Sequence, residues 1–389
     1  RAAHFPLMEE NNMDTSKRIC ALRRYMQENA LDACVLMSPE NMQYMSGFQA
    51  ITYSRPIFFV ITAETTYLII PALEEAHADV TSTGVEHLRV YYEHPEKASI
   101  ATSPFDHLRR ILPSGERVGV EFRSLSMSVE HMMQDMGYKL SNVSEKLSTM
   151  RYIKDRQELD CIREGGRLCR LAFAKTLEHA HAGISEMEIE QYGTRALYEL
   201  LDDNYPYDFS SPSCITPSGV ERTIMPHVFS SCRRLERGDM VIHVRKPAIN
   251  GYHAELERTF FIGKPHEDAK RAFCAMVEAQ QTVFDMVRPG VRAAELDKAG
   301  RDVLRKYGYG DYAIHRIGHG QGLGRHEEPY LSYNTEIVLQ ENMVFTVEPG
   351  IYIPGVGGFR HSDTIVVTAN GMENVTEFPR TLDEMTFDI

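Results

Sequence analysis

The stretch GHGQGLGRHEEP, residues 318–329, is the most informative part of this 389-residue sequence. Four glycines at alternating positions let the backbone approach a ligand closely, because glycine has no Cβ. Two histidines, His319 and His326, lie among them. On its own the stretch also fits a flexible turn with surface histidines, so its meaning depends on what accompanies it.

Three further stretches accompany it. VEPGIY, residues 347–352, places the carboxylate of Glu348 in an apolar strand, where an unpaired charge is costly. GFRHSDT, residues 358–364, follows in a strand-like pattern, and NGYHAELERTF, residues 250–260, lies upstream. The glycine–histidine stretch therefore does not stand alone.

The spacing of apolar residues predicts two domains. Over residues 1–150 strands and helices alternate, which is typical of a small α/β domain. Over residues 151–389 helices and long strands come in blocks, which favours an α+β domain with an antiparallel sheet. Strands are predicted at 33–37, 57–62, 66–70, 118–121, 240–245, 257–262, 343–352 and 363–368, and helices at 14–30, 126–136, 155–182, 185–202, 267–287 and 293–307.

Composition excludes several classes of protein. Hydrophobic residues make up 43% and charged residues 25%, which is ordinary for a globular protein. The formal net charge is −13 and there is no run of lysine or arginine, so neither a nucleic acid nor a membrane is an expected partner. No apolar run reaches 18 residues, and the seven scattered cysteines favour reduced thiols in a cytoplasmic protein.

The four stretches, in this order, resemble the pita-bread fold of methionine aminopeptidase, aminopeptidase P, prolidase and creatinase. The resemblance covers roughly residues 155–385. It implies a C-terminal pita-bread domain, an antiparallel sheet flanked by helices, preceded by an N-terminal domain of the creatinase and prolidase type.

The metallopeptidases of this family hold two metal ions with five side chains, and this sequence keeps only part of that set. The first aspartate position is Val244 and the last glutamate position is Ser362, neither of which supplies a carboxylate. Glu255 stands at the second aspartate position, while His319 and Glu348 match their positions. The sequence therefore predicts no cofactor, with one divalent metal such as Mn or Zn, held by Glu255, His319 and Glu348, as the alternative.

These losses resemble creatinase, which has the fold and uses no metal. The resemblance implies that His227 is the catalytic acid and base and that Glu257 and Glu348 bind the substrate. It also implies that Arg55, beside Tyr53, binds a substrate carboxylate across a dimer interface. The remaining predicted substrate-binding residues are Tyr252, His319 and His326.

Two buried carboxylates favour a planar cation, and a neutral histidine can move a proton between water and a leaving nitrogen. The leading prediction is therefore a metal-independent, creatinase-like amidinohydrolase that cleaves a C–N bond in a small guanidino, amidine or cyclic-amidine compound. It would be a homodimer whose active site is shared between chains. One alternative is a mononuclear-metal Xaa-Pro peptidase; another is a catalytically silent pita-bread protein that binds a peptide or protein.

Overall fold

The computed structural model describes residues 14–97, 99–201, 205 and 208–387. They form two compact units, one up to residue 150 and one from residue 151. Within these ranges, no helix is both long and apolar enough to cross a membrane. The seven cysteines are free thiols.

The first unit is built on a six-stranded mixed sheet. Its helices are α1 (Ser16–Glu28), α2 (Pro39–Ser46), α3 (Glu75–Thr81), α4 (Pro104–Ile111), α5 (Met127–Asp135) and α6 (Ser144–Met150). Its strands are β1 (Ala33–Leu36), β2 (Phe58–Thr62), β3 (Thr66–Pro71), β4 (His87–Tyr91), β5 (Arg117–Val120) and β6 (Lys139–Asn142). The strand order is β4-β3-β2-β1-β5-β6. The predicted hairpin is present as the antiparallel β2–β3 pair, while β1, β5 and β6 run parallel.

The second unit is built on a larger curved sheet with helices against it. Its helices are α7 (Arg156–Leu177), α8 (Glu186–Leu200), α9 (Val220–Thr223), α10 (Glu267–Met286) and α11 (Ala293–Lys306). Its strands are β7 (Phe209–Ile215), β8 (Met240–Ile249), β9 (Tyr252–His253), β10 (Leu256–Ile262), β11 (Gly318–Gly320), β12 (Glu327–Leu331), β13 (Val344–Val347), β14 (Gly350–Ile353), β15 (Gly357–Arg360), β16 (Ser362–Thr368), β17 (Gly371–Asn374) and β18 (Thr386–Phe387).

The main path of that sheet is β12-β11-β13-β16-β10-β8-β7, with antiparallel neighbours throughout. The predicted α+β class is therefore confirmed. The single strand predicted at 343–352 is wrong in one respect, because the chain leaves the main sheet at Glu348 and Pro349. Proline cannot donate a ladder hydrogen bond, and after it β14 pairs with β15 in a separate hairpin.

Helix caps and apolar faces explain why the helices cover the sheet. The helix α7 begins with a capping box in which Asp155 and Glu158 satisfy each other's backbone N–H groups, and Ser185 and Glu188 do the same for α8. Apolar residues of α7 and α10, such as Phe173 and Phe273, are fully buried against the sheet in one cluster. That burial is the main source of stability for this unit.

A tight turn fixes the register of the two central strands. Asn250 and Gly251 both have positive φ, 46° and 80°, the conformation that an Asn-Gly hairpin turn requires. Beyond it, Leu256 pairs with Arg245 and Glu257 pairs with Val244. Side chains on a strand alternate between faces, so even-numbered residues of β8 share one face with the odd-numbered residues of β10.

On the face toward the helices, a buried ion pair joins β10 to β16. Arg258 donates to both carboxylate oxygens of Asp363, each at 2.9 Å, and both side chains are fully buried. Gln280 of α10 donates to the same carboxylate at 2.8 Å. The ion pair therefore holds β10, β16 and α10 together. It lies on the opposite side of the sheet from the carboxylates of Glu255 and Glu257.

We expect Asp363→Ala to lower the free energy of unfolding by about 3–5 kcal/mol, because it leaves the guanidinium of Arg258 buried without its carboxylate. Urea unfolding followed by circular dichroism measures this. The matched control is Glu199→Ala, which removes an exposed ion pair with Arg195 and should leave the midpoint almost unchanged. Equal midpoint shifts for the two variants would contradict the structural importance of the buried pair.

Candidate metal centre

Four acidic or imidazole side chains converge on the pocket face of the sheet. Glu257 lies in β10 and His319 in β11, while Glu255 comes directly before β10 and Glu348 directly after β13. All four are at least nine-tenths buried. Their convergence results from strand pairing, because β11, β13, β16 and β10 are neighbours in the sheet.

Glu255 has a defined partner on each carboxylate oxygen. The Oγ of Ser362 donates to Oε1 at 2.8 Å, and the Nζ of Lys246 forms an ion pair with Oε2. Burial opposes ionisation of Glu255, yet the charge of Lys246, with smaller contributions from His319 and Ser362, lowers its pKa to about 2. Glu255 is therefore a carboxylate at neutral pH.

His319 directs an unsatisfied nitrogen at two carboxylates. Its Nδ1 lies 3.0 Å from the carbonyl oxygen of Gly320, so the ring donates there and Nε2 carries the lone pair. That Nε2 is buried without a hydrogen-bond partner. It lies 3.4 Å from Glu348 Oε1 and 4.0 Å from Glu255 Oε2. Glu255 Oε2 is already paired with Lys246, whereas His319 Nε2 and Glu348 Oε1 are two facing acceptors that a cation between them would satisfy.

Glu257 is engaged by a chain of polar side chains. Arg360 donates to both of its carboxylate oxygens, and the remaining arm of the guanidinium donates to the Tyr352 hydroxyl at 3.0 Å. That hydroxyl lies 2.9 Å from Nε2 of His315, whose Nδ1 contacts a backbone carbonyl. Burial raises the pKa of Tyr352 to about 12, so its hydroxyl keeps its proton and orients Arg360.

Glu348 has the electrostatic environment of a carboxyl group that lacks a counter-ion. Burial first, and then the charge of Glu255, raise its pKa to about 7. The residue follows β13, and its backbone N–H donates to the carbonyl of Ile317, which fixes the side chain beside His319. A bound cation would favour the ionised form.

The residues fit a divalent metal ion. Two groups of three residues could each hold an ion, because the ligand atoms within a group lie within 4.8 Å of one another. Both groups include Glu255. One group adds His319 and His326, and the other adds Glu257 and Glu348. Carboxylate oxygens and one imidazole nitrogen suit Mn, Fe or Zn, and the unpartnered Nε2 of His319 is the ligand atom that most clearly lacks its partner.

The structure brings His326 to this centre but directs Tyr252 away from it. His326 is exposed, and its ring stacks on His319 with 3.7 Å between ring centroids. His227 lies on an exposed loop after α9; burial and the charges of Arg360 and Lys246 lower its pKa from 6.5. Tyr252 is not brought to the centre, since it donates to Glu158 on the helix-facing side.

Two predicted site residues, Arg55 and Tyr53, belong to the first unit. Arg55 Nε lies 2.7 Å from Glu93, and Tyr53 is 88% exposed. Sequence reasoning missed Lys246 altogether and assigned no role to Arg360. Counting residue pairs outward from the Asn250-Gly251 turn places Lys246 opposite Glu255. This count would have identified Lys246 from the sequence.

Comparisons with known proteins agree with the fold and extend the functional assignment. Residues 160–369 match Metallopeptidase family M24, and residues 18–153 match the Creatinase/Prolidase N-terminal domain. The chain belongs to metallopeptidase family M24. The predicted pita-bread fold with its N-terminal creatinase/prolidase domain is thereby confirmed, as is the prediction of a hydrolase.

Several proteins similar to this chain are dipeptidases. A Xaa-Pro dipeptidase of Pyrococcus furiosus is 30% identical over 94% of this chain and 99% of its own. The crystal structure of a prolidase from Pyrococcus horikoshii has a TM-score of 0.83 at 30% identity and covers 94% of this chain and 100% of that one. A prolidase from Thermococcus sibiricus gives 0.84 at 26% identity, covering 97% and 100%.

These findings correct two expectations. The metal-independent amidinohydrolase is wrong, because the similar proteins are dipeptidases of a metallopeptidase family. The structure supplies a physical reason: Glu257, expected to bind a cationic substrate group, is already paired with Arg360. The expectation of no cofactor is wrong as well, since the family is one of metallopeptidases and the buried ligand atoms form candidate metal sites.

Proposed function

We propose that this protein is a Xaa-Pro dipeptidase that uses one divalent metal ion. The observation that carries the proposal is the buried, unpartnered Nε2 of His319, which faces the carboxylates of Glu255 and Glu348. The similarity to Xaa-Pro dipeptidases over nearly the whole chain supports the reaction class. Val244 and Ser362, at two positions of the five-ligand pattern, favour one ion rather than two.

His319, Glu348 and Glu255 would hold the ion. When bound, a divalent metal polarises the carbonyl of the scissile bond and lowers the pKa of a water molecule. Arg360 holds Glu257 in place and opposes the rise in its pKa, to about 7, that burial causes. Tyr352 and His315 hold the guanidinium from behind. The buried position of these groups keeps bulk water away from the reacting atoms.

His227 is the candidate for proton transfer outside the metal ligands. Its lowered pKa keeps the imidazole neutral at pH 7, because burial and the positive charges of Arg360 and Lys246 disfavour the imidazolium. A neutral imidazole can hold a proton at one nitrogen and accept one at the other. We propose that His227 hydrogen-bonds the dipeptide, accepts a proton from the attacking water and passes it to the leaving proline nitrogen as the C–N bond breaks.

The substrate is a small zwitterion whose carboxylate needs a cationic partner. Arg316 lies at the edge of the centre, its guanidinium stacked 4.0 Å from the ring centroid of Tyr330. Arg55 is the second candidate, and we propose that it acts on the partner chain's site in a homodimer. The strongly exposed apolar side chains beside it, Ile51 at 57% and Tyr53 at 88%, support a surface that a second chain covers.

The first test is substrate and metal dependence. We expect release of free proline from Xaa-Pro dipeptides after loading with Mn²⁺, Co²⁺ or Zn²⁺, loss of that activity on treatment with a chelator, and recovery on adding the metal back. His319→Ala, which removes an imidazole ligand, should stay inactive at every metal concentration. Equal rates on Xaa-Gly dipeptides, or activity that survives complete metal removal, would contradict the proposal.

The second test concerns His227. We expect His227→Ala to lower kcat by about 10²–10⁴-fold, the usual contribution of a general acid or base, with metal binding unchanged. In the wild type, kcat/KM should fall only below pH 6.5, since protonation of a histidine with a lowered pKa removes the acceptor nitrogen. A His227→Ala variant with a near-normal rate would remove this residue from the mechanism.

The third test is complementation between chains. Arg55→Ala and His227→Ala chains should each be inactive or weak alone, and mixed dimers should regain activity because one of the two shared sites receives both wild-type residues. Steady-state proline release from the mixture, against each parent at the same concentration, measures this. Mixed dimers that form, as shown by differently tagged chains, and remain as inactive as their parents would rule out a role for Arg55 across the interface.

A further inference from the structure

Lys246 is a buried cation inside the candidate metal centre. Its side chain is 10% exposed and forms an ion pair with Oε2 of Glu255. Its Nζ also lies 3.3 Å from Nε2 of His326. A buried ammonium group needs such partners, because an unpaired charge in this environment is costly. The lysine therefore contacts two members of one ligand group.

The strand register explains why the lysine is there. The Asn250-Gly251 turn pairs Arg245 with Leu256, so position 246 lies beside position 255 and faces the pocket. The neighbouring pocket position on β8 is Val244, opposite Glu257. Across β16, Ser362 donates to the other oxygen of Glu255. Both oxygens of the carboxylate shared by the two ligand groups thus have donors from this chain.

The two ligand groups are consequently unequal. In the group of Glu255, His319 and His326, the ammonium of Lys246 contacts two of the three members. In the group of Glu255, Glu257 and Glu348, the ammonium contacts only Glu255 among the described residues, and Nε2 of His319 lies beside Glu348. An ion between His319 and Glu348 leaves both contacts of Lys246, to Glu255 and to His326, in place.

Charge balance leads to the same conclusion. Three carboxylates of the cluster face the ammonium of Lys246 and the guanidinium of Arg360, with Arg316 further out at the edge. With the three carboxylates ionised, Lys246 and Arg360 leave the cluster with a net charge of −1. One divalent ion brings this net charge to +1, and a second ion would bring it to +3. In a buried site that repulsion opposes the second ion strongly.

We propose that the ammonium of Lys246 occupies the place of a second metal ion, so that the protein binds a single divalent ion on the side of His319 and Glu348. The proposal rests on the metal dependence of the proposed function and specifies its stoichiometry. Lys246 is a positioning residue here: it fixes Glu255 and blocks the ligand group that includes His326.

Metal stoichiometry tests the proposal without measuring activity. The apoprotein is titrated with Mn²⁺ or Co²⁺ by isothermal titration calorimetry, and bound metal is counted by elemental analysis after desalting. We expect one ion per wild-type chain and two per Lys246→Met chain, because the variant frees Glu255 Oε2 and His326 Nε2 at nearly constant side-chain volume. Lys264→Met, which removes an exposed lysine, is the matched control and should keep the wild-type capacity.

A double variant keeps the test decisive. In Lys246→Met/His326→Ala the ligand group of Glu255, His319 and His326 loses one of its two imidazoles, so the capacity should return to that of the wild type. If Lys246→Met does not fold as apoprotein, refolding in excess Co²⁺ followed by desalting gives the same count. Two ions in the wild type, or an unchanged capacity in Lys246→Met, overturns the proposal.

The result also separates this inference from the proposed function. A wild type that binds no ion, with Lys246→Met binding one, would contradict the metal-dependent peptidase and still support the role of Lys246. One ion in the wild type and the same capacity in Lys246→Met would leave the peptidase intact and overturn the role of Lys246.

Discussion

Three carboxylates buried in one pocket must be balanced by positive charge, and the structure around them is arranged to supply it. Lys246 pairs with Glu255 and Arg360 pairs with Glu257, so that each of these two carboxylates has a cationic side chain of the protein as its counter-ion. In the part of the chain that the structure describes, no lysine or arginine forms an ion pair with Glu348. The unpartnered Nε2 of His319 lies beside it. The charge that is still needed at this point defines where a metal ion belongs.

The opposite face of the sheet makes this arrangement rigid. There Arg258 and Asp363 form a fully buried bidentate pair, and Arg245 donates to His243 and to residues of α7 and α8. Because neighbouring residues of a strand point to opposite faces, each pocket residue of β8, β10 and β16 lies next to an anchored one. The ligands therefore depend on a helix-facing polar network for their position.

Much of the fold was predictable from local pattern. The 3.6-residue and alternating periodicities located α7, α8, α10, α11 and the central strands, since amphipathic spacing reports burial directly. The break at Glu348 and Pro349 was missed because an apolar run continues across it, and only the missing proline N–H marks the change of partner strand. Short strands such as β11 could not be predicted from their composition, because they are extended only through pairing with adjacent strands.

Three side chains of the candidate site could be located from the sequence, but the contacts around them could not. Glu255, His319 and Glu348 follow from motif positions, whereas the contact between Arg360 and Glu257 depends on strand pairing between distant segments. Without that contact Glu257 looked free to bind a cationic substrate, which led to the amidinohydrolase prediction. Lys246 was within reach of sequence reasoning, because the Asn-Gly turn sets positions 246 and 255 opposite each other.

The central claim is that this metallopeptidase site takes one divalent ion beside His319 and Glu348. The most direct measurement is a crystal structure of the Mn²⁺- or Co²⁺-loaded protein with anomalous diffraction recorded at the metal edge. The account predicts a single anomalous peak per chain, next to Nε2 of His319, with Lys246 still paired to Glu255. Two peaks flanking Glu255, or no peak in this pocket at saturating metal, would contradict it.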